Sequence, residues 1–302
     1  MDLKAEIKKL LKEKDAVLLA HNYQIDEIQE IADFTGDSLG LSIEASKVQQ
    51  NTIVFCGVHF MAETAHILSP EKVVLLPEIE AGCPMADMIT GDKVRQLKME
   101  YPGVPVVCYV NSSAEVKAES DICCTSANAV NVVKSLDTDK VIFVPDKNLG
   151  HYVSRFVDTE VILYEGFCPI HERVTKKEVE ALKKEHPDAL FVAHPECPPE
   201  VVDMADHICS TSGVYKYAKE SDNKKFIIGT EEGVGYRLRK ENPGKEFYFA
   251  YDSFRCKNMK KTNLKKIYEA LLNEQYKITL DPALRKRAYS SIDKMLQVPR
   301  NY

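Results

Sequence analysis

Along the chain, short apolar runs alternate with longer stretches in which leucine, isoleucine and valine recur at helical spacing. The runs AVLLA, VPVVC and ALFVA close on His21, Tyr109 and His194. Beyond each ending comes a shared pattern, Glu27 to Asp33 (EIQEIAD), Glu115 to Asp121 (EVKAESD) and Glu200 to Asp206 (EVVDMAD). Its members are glutamate, a branched apolar residue, three variable positions, a small residue and aspartate, at offsets of 88 and then 85 residues. Further apolar runs around Phe55, Phe143 and Ile228 keep those offsets, and KVVLLPE, EVILYE and EFYFAY lead into Cys83, Cys168 and Cys256. The opening segments KAEIKKLLKEKD, GDKVRQLKMEYP and KKEVEALKKEHP align as helices.

Strand-like runs separated by helical patterns predict parallel α/β layers, and the long internal period predicts one unit built three times. Each unit reads as helix, strand, helix, strand, helix, strand and then cysteine. The expected fold class is α/β, with three similar three-layer α/β/α lobes whose parallel sheets are related by a pseudo-threefold axis. Residues 1–83 with the tail 257–302 make the first lobe, 84–168 the second and 169–256 the third. Ligands of open parallel sheets bind beyond the carboxyl ends of the strands, so three lobes facing one axis would bring equivalent residues to a common site.

Those equivalent positions carry chemistry. The strand ends His21, Tyr109 and His194 are followed two residues on by Tyr23, Asn111 and Glu196. A single such histidine reads as a satisfied structural residue; recurrence at one repeat position favours a shared site. Five residues after each repeat aspartate stands a hydroxyl, Ser38, Ser126 and Thr211, the last followed by Ser212. Each precedes a helical stretch, where it is expected to cap the helix and, with the exposed amides and the helix dipole, to bind an anion.

Composition narrows the classes. A formal charge of -6 over 302 residues disfavours a nucleic-acid partner. The N-terminus lacks a signal peptide's apolar stretch, and no run approaches the ~18 apolar residues of a membrane span, so the expected location is cytoplasmic. Nine cysteines, an odd number, in a chain without an export signal argue against a disulfide framework. Cys56, Cys108, Cys123 and Cys209 sit in or beside apolar runs and read as buried packing residues. Cys83, Cys168 and Cys256 follow the last strand of each unit, and three thiolates with no fourth suit a cluster iron or a zinc with one open position.

Over nearly its whole length the chain resembles the quinolinate synthases. The motifs that carry the resemblance are HNYQ at His21, GDSL at Gly36, FCGVHFMAETA at Phe55, AGCPMADM at Ala81, YVNSSAEVKAESD at Tyr109 and CTSANA at Cys124, followed by GFCPIH at Gly166, HPEC at His194, STSG at Ser210, GTEEG at Gly229 and CKNMKKTNL at Cys256. The resemblance implies a 4Fe-4S cluster held by Cys83, Cys168 and Cys256. It implies condensation of iminoaspartate with dihydroxyacetone phosphate, with loss of phosphate and water, to quinolinate for NAD biosynthesis.

On that reading the open iron acts as a Lewis acid. Glu196 is the first candidate general acid/base, Tyr23 and His21 handle protons nearby, and His194 and Tyr109 orient substrate, with Tyr109 also among the catalytic candidates. Asn111 hydrogen-bonds a ligand of the iron, and Ser38, Ser126, Thr211 and Ser212 anchor carboxylates and phosphate. A transient contact with the enzyme supplying unstable iminoaspartate is expected. The rivals are an iron-sulfur hydro-lyase acting on a hydroxy acid and a three-lobed structural-metal protein.

Overall fold

A computed structural model describes residues 2–250 and 254–301; the end of the run EFYFAY, Tyr251, lies outside them. The first lobe comprises α1 (Leu3–Glu13), β1 (Ala16–His21), α2 (Asp26–Ile31), β2 (Phe34–Gly36), α3 (Ser38–Lys47), β3 (Thr52–Cys56), α4 (His59–Leu68) and β4 (Val73–Leu75). The second comprises α5 (Gly91–Glu100), β5 (Val106–Tyr109), α6 (Ala114–Glu119), β6 (Ile122–Cys124), α7 (Ala129–Lys134), β7 (Lys140–Val144), α8 (Lys147–Ser154) and β8 (Glu160–Leu163). The third comprises α9 (Lys176–Glu185), β9 (Leu190–Ala193), α10 (Pro199–Val202), β10 (His207–Ile208), α11 (Thr211–Glu220), β11 (Lys225–Gly229), α12 (Val234–Glu241) and β12 (Glu246–Phe249). Helices α13 (Leu264–Asn273) and α14 (Pro282–Leu296) follow.

All three sheets are parallel and share one strand order, β2-β1-β3-β4, β6-β5-β7-β8 and β10-β9-β11-β12. The three similar α/β lobes expected from the repeat are therefore present. The count of three strands per lobe falls one short. Strands β2, β6 and β10 have only 3, 3 and 2 residues, and the helices before them 6, 6 and 4, too few to display either hydrophobic period.

The repeat aspartate accounts for the recurrence of this small element. Asp33, Asp121 and Asp206 accept the amides of Leu18, Val106 and Phe191 on Oδ2 at 2.8, 2.8 and 2.7 Å. Their own amides donate to the carbonyls of the same three residues. This two-way clasp fixes the register of a side strand too short to hold its own place.

Every residue of β1 is buried. Its side chains alternate between two apolar clusters, Val17 and Leu19 in one and Ala16, Leu18 and Ala20 in the other. In the third lobe Phe191 and Ala193 belong to one cluster and Val192 to another. Burial on both faces is why these strands read as continuous apolar runs and why helices must cover each side. Helix α13 lies against α1 and adds Leu264, Ile267 and Leu271 to the first lobe's core. Helix α14 packs on α6, β6 and α4. Among the described residues no helix is long and apolar enough to cross a membrane.

Candidate active site

In each sheet the chain leaves the first strand toward one side and returns to the other, so the crevice beyond β1, β5 and β9 is a topological switch point. His21, Tyr109 and His194 stand there, all buried. They border one cavity of about 300 Å³, together with Tyr23, Asn111, Glu196, Ser38, Ser126, Thr211, Cys83, Cys168 and Cys256. Of the residues predicted for the site, Ser212 alone does not line the cavity; its hydroxyl bonds Asp37 instead. The cavity also meets Phe60, Met61 and Ile170, and the cationic side chains of Arg173, Arg255 and Lys257.

The first and third lobes build their strand ends alike. The amide of Tyr23 donates to Nδ1 of His21 at 3.1 Å, and that of Glu196 to Nδ1 of His194 at 3.3 Å. Burial lowers His21 to about 4 and His194 to about 3. Both rings are therefore neutral at pH 7, and with Nδ1 accepting, the proton sits on Nε2.

A hydrogen-bonded chain joins the lining residues Tyr23, His171, Glu196 and Tyr109 through the buried Thr230. The Tyr23 hydroxyl meets Thr230 Oγ1 at 2.7 Å, and Thr230 Oγ1 meets His171 Nε2 at 2.9 Å. His171 Nδ1 lies 2.6 Å from Glu196 Oε2, and the Tyr109 hydroxyl donates to Glu196 Oε1. His171 also stacks on His194 with ring centroids 4.7 Å apart. Burial alone would push the Glu196 carboxyl up, but the His171 imidazole beside it and the hydrogen bonds from His171 and Tyr109 bring it down to about 2. Burial, reinforced by Glu196, raises Tyr23 and Tyr109 well above the usual phenol range. One carboxylate acceptor thus faces phenols that keep their protons.

His171 and Thr230 are absent from the sequence-derived site. His171 stands three residues after Cys168, where the counterpart positions hold Ala86 and Met259. A titratable residue replacing two apolar ones was the available signal. Thr230 follows the strand run of the third unit inside the GTEEG motif, but its residue type alone marked no role.

The cysteines divide by exposure. Cys83, Cys168 and Cys256 are partly exposed, whereas the other six are buried. Each of the three sulfurs accepts from the amides two and three residues on: Met85 and Ala86, Ile170 and His171, Asn258 and Met259. In each turn the amide four residues on also donates to the cysteine carbonyl. The Cys168 amide donates to Asp146 Oδ2 at 3.2 Å and the Cys256 amide to Glu231 Oε1 at 3.0 Å. Burial raises all three thiols, Cys83 to about 12. A cation on these sulfurs would reverse that cost, since metal-bound thiols lose their protons outright, and paired N–H donors stabilise a sulfur that carries charge. The buried Asn111 Oδ1, on the same cavity, has no partner. This donor set fits a three-thiolate cluster. Cys168, His171 and Glu196 form a second group able to hold a metal, with ligand atoms within 4.8 Å of one another.

The hydroxyls differ from expectation in one respect. Asp37 and Ser210 cap α3 and α11, accepting from the amides of Gly40 and Gly213, and have extended backbones. Ser38 and Thr211 are thus the first helical residues rather than the caps, because the acceptor one position earlier takes that role. Ser126 lies in the turn before α7, where Thr125 Oγ1 accepts the Ala127 amide. All three hydroxyls line the cavity.

The neutral histidines make stability depend on pH. Below about 6.5 the unfolded chain binds protons that buried His21 and His194 refuse, so stability falls with pH until the folded values of about 4 and about 3 are reached. The expected loss is about 3 kcal/mol from His21 and about 5 kcal/mol from His194 once those values are passed. Denaturant midpoints measured from pH 7 to pH 4 should drop, and less steeply for His21→Asn; parallel curves would contradict the neutral state.

The family model for quinolinate synthetase A protein, NadA, matches residues 5–297. The quinolinate synthase of Geobacter sp. (strain M21) is 58% identical over 299 residues, covering 99% of this chain and 98% of the relative. That of Alkaliphilus metalliredigens is 58% identical over 294 residues, covering 97% of each chain. That of Methanoregula boonei is 54% identical over 294 residues, again covering 97% of each.

Proposed function

Because the chain belongs to the quinolinate synthase family, we propose that it condenses iminoaspartate with dihydroxyacetone phosphate, releasing phosphate and water, to give quinolinate for NAD synthesis. Cys83, Cys168 and Cys256 would hold a 4Fe-4S cluster. The observation that carries this reading is the trio of thiols on one cavity, each met by two backbone amides. When bound, the cluster supplies a Lewis-acidic iron with a position free of protein ligands.

The chain's own residues supply the rest. Both substrates are anionic, and the cavity offers Ser38, Ser126 and Thr211 with the cations Arg173, Arg255 and Lys257. Glu196, ionised at neutral pH, takes the proton that must leave carbon or nitrogen during condensation and ring closure. Tyr23, whose phenol stays protonated, returns a proton to a departing hydroxyl and is resupplied through Thr230 and His171. Neutral His21 and His194 donate from Nε2 and orient the polar groups of the substrates.

Anaerobic reconstitution with iron and sulfide counting tests the reading, together with product formation from iminoaspartate generated in situ. About four irons per chain are expected, with quinolinate formed; one iron, or zinc alone, would point to the group at Cys168, His171 and Glu196. Replacing Ser126 or Thr211 by alanine should raise KM about 10- to 100-fold with the cluster absorbance intact, since a hydrogen bond to a charged group contributes roughly 1.5–3 kcal/mol. Unchanged KM values would remove these hydroxyls from the anion site.

A further inference from the structure

After α14 the chain crosses the second lobe before reaching the first. The Asn301 amide donates to Ala127 O at 2.7 Å. Asn131 Nδ2 donates to the carbonyls of Pro299 and Arg300 at 3.2 and 3.0 Å, and Asn128 Nδ2 to those of Met295 and Val298 at 3.2 and 3.3 Å. From this anchored segment Arg300 makes a two-pronged contact with Asp37, Nη1 to Oδ2 at 2.7 Å and Nη2 to Oδ1 at 3.0 Å.

Asp37 is itself a junction. It is buried and caps α3 of the first lobe. It also accepts from Ser210 Oγ at 3.3 Å and from Ser212, both at the start of α11 in the third lobe. The residues following the two caps, Ser38 and Thr211, face the cavity. An uncompensated carboxylate there would repel an anion approaching either helix start.

We propose that Arg300 is a positioning residue for substrate binding: it ties the second lobe to the Asp37–Ser210 junction and balances the Asp37 charge, so that the starts of α3 and α11 accept an anionic substrate. The proposal rests on the role given above to Ser38 and Thr211.

Steady-state kinetics and hydrogen exchange test this on the cluster-loaded enzyme. Arg300→Met should raise KM about tenfold while kcat changes little, the signature of lost binding rather than lost chemistry, with cluster absorbance per chain unchanged. Arg300→Lys keeps the charge but not the fork and should fall between the two. Asp37→Asn added to Arg300→Met should recover much of the KM, because no unpaired charge remains. Amide exchange at Gly40 should quicken in Arg300→Met. Unaltered KM and Gly40 exchange, or a fall in kcat with loss of cluster signal in both Arg300 variants, would overturn the proposal. If the unaltered enzyme formed no quinolinate, the function proposed above would fail instead, and Gly40 exchange would still decide whether the strap holds.

Discussion

Replacing Cys168 or Cys256 by serine is expected to abolish the iron-sulfur absorbance after anaerobic reconstitution and to lower quinolinate formation more than about a hundredfold. Loss of an outer partner of a metal ligand already costs about 10- to 100-fold, and a direct ligand must cost more. The fold should survive, because both residues are partly exposed and pack only against the outside of the apolar cluster that holds the sheets, and serine differs from cysteine by one atom. Cys56→Ala is the contrasting control. Its thiol is fully buried in the first lobe's core, so stability should fall by about 1 kcal/mol while absorbance persists. Retained colour and product in the two serine variants would sink the three-thiolate reading.

Glu196→Gln should lower kcat by about 10²- to 10⁴-fold, the range for a positioned acid or base, with the cluster spectrum unchanged. The amide places donors where the carboxylate accepts from both Tyr109 and His171, so one of those contacts must break. The pH dependence follows from the lowered carboxyl. Its folded value of about 2 lies below the ordinary 4.5, so the stability it contributes is present above about pH 4.5 and lost as pH falls toward 2. The Gln variant's loss of folding stability, read from denaturant midpoints, should therefore be full at pH 7 and shrink in acid. Full turnover in the variant would remove Glu196 from proton transfer.

Much of this arrangement is legible along the chain, and the residues show why. Asp33, Asp121 and Asp206 mark the repeat because each closes the same clasp on a first strand, so the same short pattern was needed three times. Cys83, Cys168 and Cys256 stand out because each follows the last apolar run of a unit. The short strands β2, β6 and β10 escape notice, since backbone pairing and the clasp hold them where side-chain alternation has no room to appear.

His171 shows the other side. It serves as a link because Thr230, 59 residues away, and Glu196 approach its two ring nitrogens. Arg300 meets Asp37 across 263 residues, and Tyr109 meets Glu196 across 87. The repeat marks Tyr109 and Glu196 without giving their contact, and the other pairs share neither a period nor a motif.

The sequence alone therefore determined the parallel α/β class, the three lobes and the strand ends, because periodicity and repetition are one-dimensional properties that burial imposes on neighbouring residues. The proton chain, the capping residues and the Arg300 strap were decided only by tertiary structure. They join side chains from different lobes, and the distance between such groups is set by how the sheets pack around the cavity.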